Sequence, residues 1–288
     1  MTSDFSRDDA IDWARLAEPQ ADQYDTDVAL HFAATTVSPN RPQLYARAPV
    51  GDAPAVFDGA VAIRHVYRSL PEFEALLTHY PYRDGPTDHP NIAAAAEHVR
   101  SWPAAFAQCQ RLLEAIHPIV DPQIPLESAE IYRGSLCHSY EQRFGTMWAT
   151  VFCPIGLAEA IVHEMGHQKL RALGVSFESA TRIVGNAPSA LYVSPIIKDR
   201  LRPMTAVLHA EYSYVYVTSL DAHMFAAERD PARKRVLRAV LERNLSRIEE
   251  GYDTLRSRFE PGPHGEAFME GFFGWTDRTI SSAKALLA

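Results

Sequence analysis

The stretch Trp148–Gly174, WATVFCPIGLAEAIVHEMGHQKLRALG, decides how the rest of the chain is read. Its opening is a short run of apolar, β-branched and aromatic residues of strand type. From Gly156 to Leu173 the apolar residues recur at helical spacing, and Gly174 stands where a left-handed residue commonly closes a helix. Inside that helix lies His163-Glu164-Met165-Gly166-His167. A helix turns about 100° per residue, so positions four apart fall on one face. His163 and His167 can therefore bind one metal ion from consecutive turns. Glu164 is rotated off their line, and in a zinc hydrolase such a glutamate is a base on metal-bound water, not a ligand. With 12 histidines and 19 glutamates in 288 residues, chance gives this pattern in roughly 3% of such chains. Its place inside an apolar helix that follows a strand favours a metal site.

Upstream, IYRGSLCHSYEQRFGTMWATVFCP reads as two or three strands broken at Gly134 and Gly145. Further back the chain is helical and uneven. DFSRDDAIDWARLAEP reads as a short helix starting near Ser6 or Asp8 and stopped by Pro19, and DQYDTDVALHFAATTV as a second. VSPNRPQLYARAPVGDAP is a connector, helical patterns cover Asp58–Leu77 and Asn91–Ile116, and HPIVDPQIP is a loop. Downstream, TRIVGNAPSALYVSPIIKDRLRP leads into a long apolar helix from about Pro203. Asp230-Pro231 breaks it, a charged helix runs to about Phe259, EPGPHGE is a loop, and a last helix ends the chain. The expected class is α+β: mostly α-helical with one small β-sheet, and a zincin-like HExxH helix packed beside the sheet. No linker divides residues 1–288, which read as a single domain with its metal-site region at approximately 130–225.

Composition excludes several classes of function. Apolar residues make up 47% and charged residues 22%, as in a folded globular chain, and the formal net charge is -8. No Lys/Arg block stands out, which argues against nucleic acid or an anionic membrane as partner. The N-terminus has acids where a signal peptide needs a basic start, and no stretch approaches the ~18 apolar residues of a spanning helix. Cys109, Cys137 and Cys153 have no CxxC spacing. They read as buried reduced thiols, and the expected location is cytoplasmic.

Two histidines hold a catalytic metal poorly, so a third ligand is expected. The metzincin extension fails, because Leu170 and Leu173 stand where it requires Gly and His. MTAVLHAEYSYVYV offers His209 and Glu211, 42 and 44 residues after His167. Two residues apart on a helix means about 200° of rotation, so only one of them can face the metal. Glu211 suits a gluzincin-type zinc metallopeptidase with Glu164 as base. His209 gains support from Arg202, which would share its face if the helix begins near Pro203, about 10 Å away along the axis. A guanidinium can hold a carboxylate bidentately, as an oxo-acid cosubstrate requires.

The segments HEMGHQKLRAL and LYVSPIIKDRLRPMTAVLHAEYSYVYV together resemble the HExxH-motif domain proteins of bacterial peptide-natural-product clusters. In that family an HExxH helix is paired with a downstream Ser-Pro, Arg-Pro and Leu-His register, here Ser194-Pro195, Arg202-Pro203 and Leu208-His209. The resemblance covers roughly residues 146–220. Ile196-Ile197 replace an aromatic and a basic residue of the pattern, and Glu211 a small or aromatic one. The resemblance implies a nonheme Fe(II)/2-oxoglutarate-dependent hydroxylase, a dioxygenase using O2, acting on a side-chain β-carbon of a ribosomally made precursor peptide. His163, His167 and His209 would be its iron ligands, Arg202 would anchor the distal carboxylate of 2-oxoglutarate, and Glu164 would contribute to the site. Smaller expectations are that His138, Arg143, Trp148 and Thr150 line a peptide-binding edge. Tyr212, Tyr214 and Tyr216 should be helix packing, Lys198 and Arg200 solvated, and His223 away from the metal. ERDPARKR and RNLSRIEE should be solvated helix faces.

Overall fold

The computed structural model describes residues 11–37, 41, 43–66, 82–126, 131–139, 141–176, 181–194 and 200–288. The expected helix start at Ser6 or Asp8, most of the helical pattern over Asp58–Leu77, Pro195 with Ile196-Ile197, and Lys198 lie outside them. Within them the chain is mixed α/β and mostly helical. The strands are β1 (Ala55–Val56), β2 (Val61–Ile63), β3 (Arg83–Asp84), β4 (Ala115–Val120), β5 (Cys137–Ser139), β6 (Thr146–Thr150), β7 (Leu191–Val193) and β8 (Leu201–Pro203). The helices are α1 (Tyr24–Thr35), α2 (Pro90–Arg100), α3 (Pro103–Leu112), α4 (Pro154–Ala172), α5 (Met204–Ala227), α6 (Pro231–Arg258) and α7 (Gly265–Leu287).

β1, β2, β4, β6 and β5 pair in that order, with β3 also on β4. The β2–β4 and β4–β6 pairings are parallel and the others antiparallel. β5 closes one edge, placing His138 opposite Trp148. The parallel centre explains one departure from expectation. HPIVDPQIP begins as the second half of β4, a strand buried nearly throughout, which periodicity alone does not separate from a short apolar loop. The described part of the expected Asp58–Leu77 helix instead contains β2, and Asn91–Ile116 divides into α2, α3 and the start of β4. The described part of the first expected helix holds a 3-10 turn, Trp13–Leu16.

α4 lies against β5 and β6 on one side and against α2 and α5 on the other. Its N-terminus takes Pro154 in the first turn, and Gly174, at φ 89°, lets the chain turn away after its end. Nearly every α4 residue is buried, so the helix carrying the HExxH pattern forms the molecular centre. Two contacts fix it there. A Cβ on Gly156 would sit 2.0 Å from the Arg133 carbonyl oxygen, and one on Gly166 would sit 3.1 Å from Tyr216 of α5. Absence of a side chain at Gly166 is what lets α4 and α5 approach closely at the level of the histidines.

α4 is also tied to the N-terminal region. The fully buried Lys169 ammonium lies 2.5 Å from the equally buried Asp25 carboxylate of α1. Gln108 donates to that carboxylate and accepts from Tyr216, so ion pair and network are satisfied together.

Candidate metal centre

His163 and His167 face the same way from consecutive turns of α4, and their Nε2 atoms are 3.0 Å apart. α5 brings His209 to the same cluster, with its Nδ1 3.1 Å from the Nδ1 of His167. The three imidazoles are therefore contiguous. As placed, however, His209 reaches the nitrogen of His167 opposite the one that faces His163, and the two nitrogens of one ring point in diverging directions.

The hydrogens follow from chemistry. His209 Nε2 lies 2.8 Å from the Val175 carbonyl oxygen. A carbonyl only accepts, so that nitrogen carries the hydrogen. Burial holds all three imidazoles neutral. It lowers the pKa of His163, pushes that of His167 well down and takes that of His209 to about 3, with the nearby Arg171 charge adding to each. A neutral His209 protonated on Nε2 presents a bare Nδ1, so His167 donates to it from Nδ1. His167 then carries its lone pair on Nε2, toward His163. This is the tautomer of a metal-binding histidine whose other nitrogen is fixed by a neighbour.

Glu164 is buried on the same side, with Oε1 3.9 Å from His163 Nε2. Ser139 of β5 donates to its Oε2 at 2.5 Å, and Arg171 Nη1 donates to both the Ser139 carbonyl (3.0 Å) and hydroxyl (2.9 Å). Arg171 follows His167 by four residues, a periodic signal present in HEMGHQKLR that sequence reasoning passed over. Cys137, taken as a structural thiol, belongs here too. Its sulfur, one His163 nitrogen and one Glu164 oxygen lie within 4.8 Å of one another. Burial, then the Glu164 charge, pushes its thiol pKa well up.

A cavity of about 350 Å³ opens beside His163, lined among others by Cys137, Glu159, Tyr214, Arg243, Asn244 and Arg247. RNLSRIEE is therefore no purely solvated face, because Asn244 is buried and Arg243 and Arg247 line the cavity rim. Tyr214 also departs from simple packing. Its ring stands edge-on to His163, with centroids 5.7 Å apart. Tyr212 and Tyr216 are fully buried in packing, as expected. At the cavity floor Glu159 and Asp221 share Asn244, and burial raises both carboxyls.

The remaining candidates have the following surroundings. Arg202 lies on β8, where it registers opposite Tyr192 of β7. α5 begins only at Met204 with Pro203 as its cap, so the helical spacing from Arg202 to His209 does not apply. Glu211 is fully buried, burial alone pushes its carboxyl well above the usual range, and neither of its oxygens has a hydrogen-bond partner among the described residues. His138 stacks loosely on Trp148 at the β5 edge, Arg143 is in a 3-10 turn and Thr150 holds the Ser135–Leu136 segment. His223 stacks on Trp102, and Arg200 is exposed. No helix among the described residues is long and apolar enough to cross a membrane. No protein-family model matches the chain, and no curated protein is significantly similar to it.

Proposed function

We propose that the protein is a metal-dependent peptide hydroxylase of the Fe(II)/2-oxoglutarate type, acting on a side-chain β-carbon of a ribosomally made peptide. One observation carries the metal reading. Two half-buried Nε2 atoms stand 3.0 Å apart, and the Val175–His209–His167 chain sets the His167 tautomer so that its lone pair faces that gap. Without a metal, His163 Nε2–H would donate to that lone pair; with His163 in its other tautomer, both nitrogens offer lone pairs to one cation. Neutral imidazoles with a nearby carboxylate suit iron or zinc. His163 and His167 would hold the ion, His209 would fix His167, and Glu164, locked by Ser139 and Arg171, would lie beside it.

Iron with 2-oxoglutarate and O2 supplies the oxidising power that turns a C–H bond into C–OH, leaving succinate and carbon dioxide. The protein's own part is positioning. The histidine helix lies beside edge strand β5, to which an extended peptide could add. The cavity beside His163 carries guanidinium groups suited to an acid cosubstrate. Those cations favour an oxo-acid reaction over proteolysis. The resemblance to the HExxH-motif proteins adds the iron, the peptide and Arg202 as a carboxylate anchor.

The test is anaerobic loading with iron or zinc, followed by O2, 2-oxoglutarate and peptides encoded beside the gene. Iron-dependent succinate release and a product heavier by one oxygen support the proposal. Peptide cleavage with zinc, abolished by Glu164→Gln, would assign a metallopeptidase instead.

A further inference from the structure

The cavity beside His163 holds more positive charge than its own acids offset. Arg243 and Arg247 lie one turn apart on α6, and both line it. Arg243 is engaged: one Nη donates to Tyr132 at 2.8 Å and lies 3.8 Å from Glu159. Arg247 is placed differently. Its Nη1 donates to the Tyr214 hydroxyl at 3.0 Å, its guanidinium carbon lies 5.4 Å from the centre of the Tyr214 ring, and no carboxylate among the described residues pairs with it. The same ring faces His163, so a single tyrosine separates a guanidinium from an imidazole of the metal pair.

A tyrosine hydroxyl that accepts from Arg247 keeps its own O–H to donate. A phenol, with an ordinary pKa of about 10, keeps that hydrogen at neutral pH. Arg247 has four further N–H groups in a planar fork. A hydroxyl and a guanidinium edge, side by side in a half-buried cavity, match the two oxygens of a carboxylate. Leu136, Ala160 and Val217 supply apolar wall for a short carbon chain.

We propose that Arg247 and the Tyr214 hydroxyl form a carboxylate anchor for the ligand bound beside His163. The carboxylate is either the distal group of a small diacid cosubstrate or the acidic side chain of a peptide. The inference deepens the functional reading above and rests on it for the role of His163, but the anchor itself needs no metal.

The experiment measures binding by calorimetry of succinate, and separately of a short peptide carrying Asp or Glu, to the full chain and to Arg247→Gln. Wild type binds at least one of the two, and Arg247→Gln, folded by its melting temperature, weakens that ligand by about tenfold or more. Arg247→Lys, which keeps charge and stem, recovers part of the loss and serves if the Gln variant does not fold. A loss confined to succinate assigns the anchor to the diacid, and a loss confined to the acidic peptide assigns it to substrate. The proposal is overturned if wild type binds neither ligand, if folded Arg247→Gln binds both as wild type does, or if only Arg202→Gln loses affinity. Protein that takes up no metal yet loses succinate affinity on Arg247→Gln keeps the anchor and removes the metal reading.

Discussion

Replacing His209 by Leu tests the hydrogen chain on which the metal reading stands. Leu keeps much of the volume but removes the acceptor for His167 Nδ1–H, 3.1 Å away, and the donor to the Val175 carbonyl at 2.8 Å. Loss of a group that orients a metal ligand weakens metal affinity by about 10- to 100-fold, which corresponds to about 1.4–2.7 kcal/mol. The unsatisfied Val175 carbonyl adds a stability loss of about 1–3 kcal/mol. Gln carries both an amide oxygen and an N–H, so His209→Gln should recover part of both effects. The assay is competition for Co(II) or Zn(II) against a chromophoric chelator, with urea unfolding of the metal-free protein alongside. Affinity within threefold of wild type would refute the tautomer argument. Loss as complete as in His163→Ala would show that His209 ligates directly.

Three further outcomes are expected. Gly166→Leu should drive α4 and α5 apart, because even a Cβ there meets Tyr216 at 3.1 Å; it should cost about 1–3 kcal/mol and weaken metal binding, whereas Gly166→Ala should be mild, and a Leu variant normal in both respects would count against close helix contact as the device that joins the histidines. Acid should destabilise the fold through His117, whose Nδ1 donates to the Arg64 carbonyl and whose pKa burial lowers to about 4. A lowered folded pKa means stability that is present above the ordinary value of 6.5 and lost as pH falls toward 4, up to ~3 kcal/mol; chemical unfolding of His117→Gln should show a flatter slope across that window, and an unchanged slope would remove His117 as its source. Ser139→Ala should leave the fold intact but release Glu164 Oε2, lowering turnover while changing metal affinity less than His209→Leu does; crystallography of the variant with Glu164 unmoved would show that Ser139 is not its holder.

What the sequence disclosed, and what it withheld, follows from the range of the forces involved. α4 was legible because caps, periodicity and the histidine spacing are local. α5, α6 and α7 were legible in position for the same reason, since Pro231 and the Pro261–Gly265 segment punctuate them. β2 and β4 were not, because a parallel strand buried on both faces has no alternation to read. The histidine pair was legible, and Arg171 stood in plain view at the next helical repeat. Arg247 and Asn244 were not, because a polar residue on a charged helix faces inward only where another element supplies a cavity. Cys137 joined the site through antiparallel pairing of β5 with β6, a contact that carries no sequence mark. The spacing drawn from Arg202 to His209 did not apply for a local reason: it was extrapolated along a helix that begins two residues later.

The Lys169–Asp25 pair has a consequence for how this protein can be dissected. The segment around residues 11–35 carries no recognisable motif and would be the first to be trimmed in search of a minimal catalytic fragment. Trimming it would remove the carboxylate that faces the Lys169 ammonium, two residues from His167, and leave it only the Tyr216 hydroxyl. The helix would have to shed the proton or open to solvent, and either response would disturb the ligands. The amino-terminal portion thus supplies the counter-charge of the helix that carries the histidines, and a truncated form that keeps their geometry has to include it.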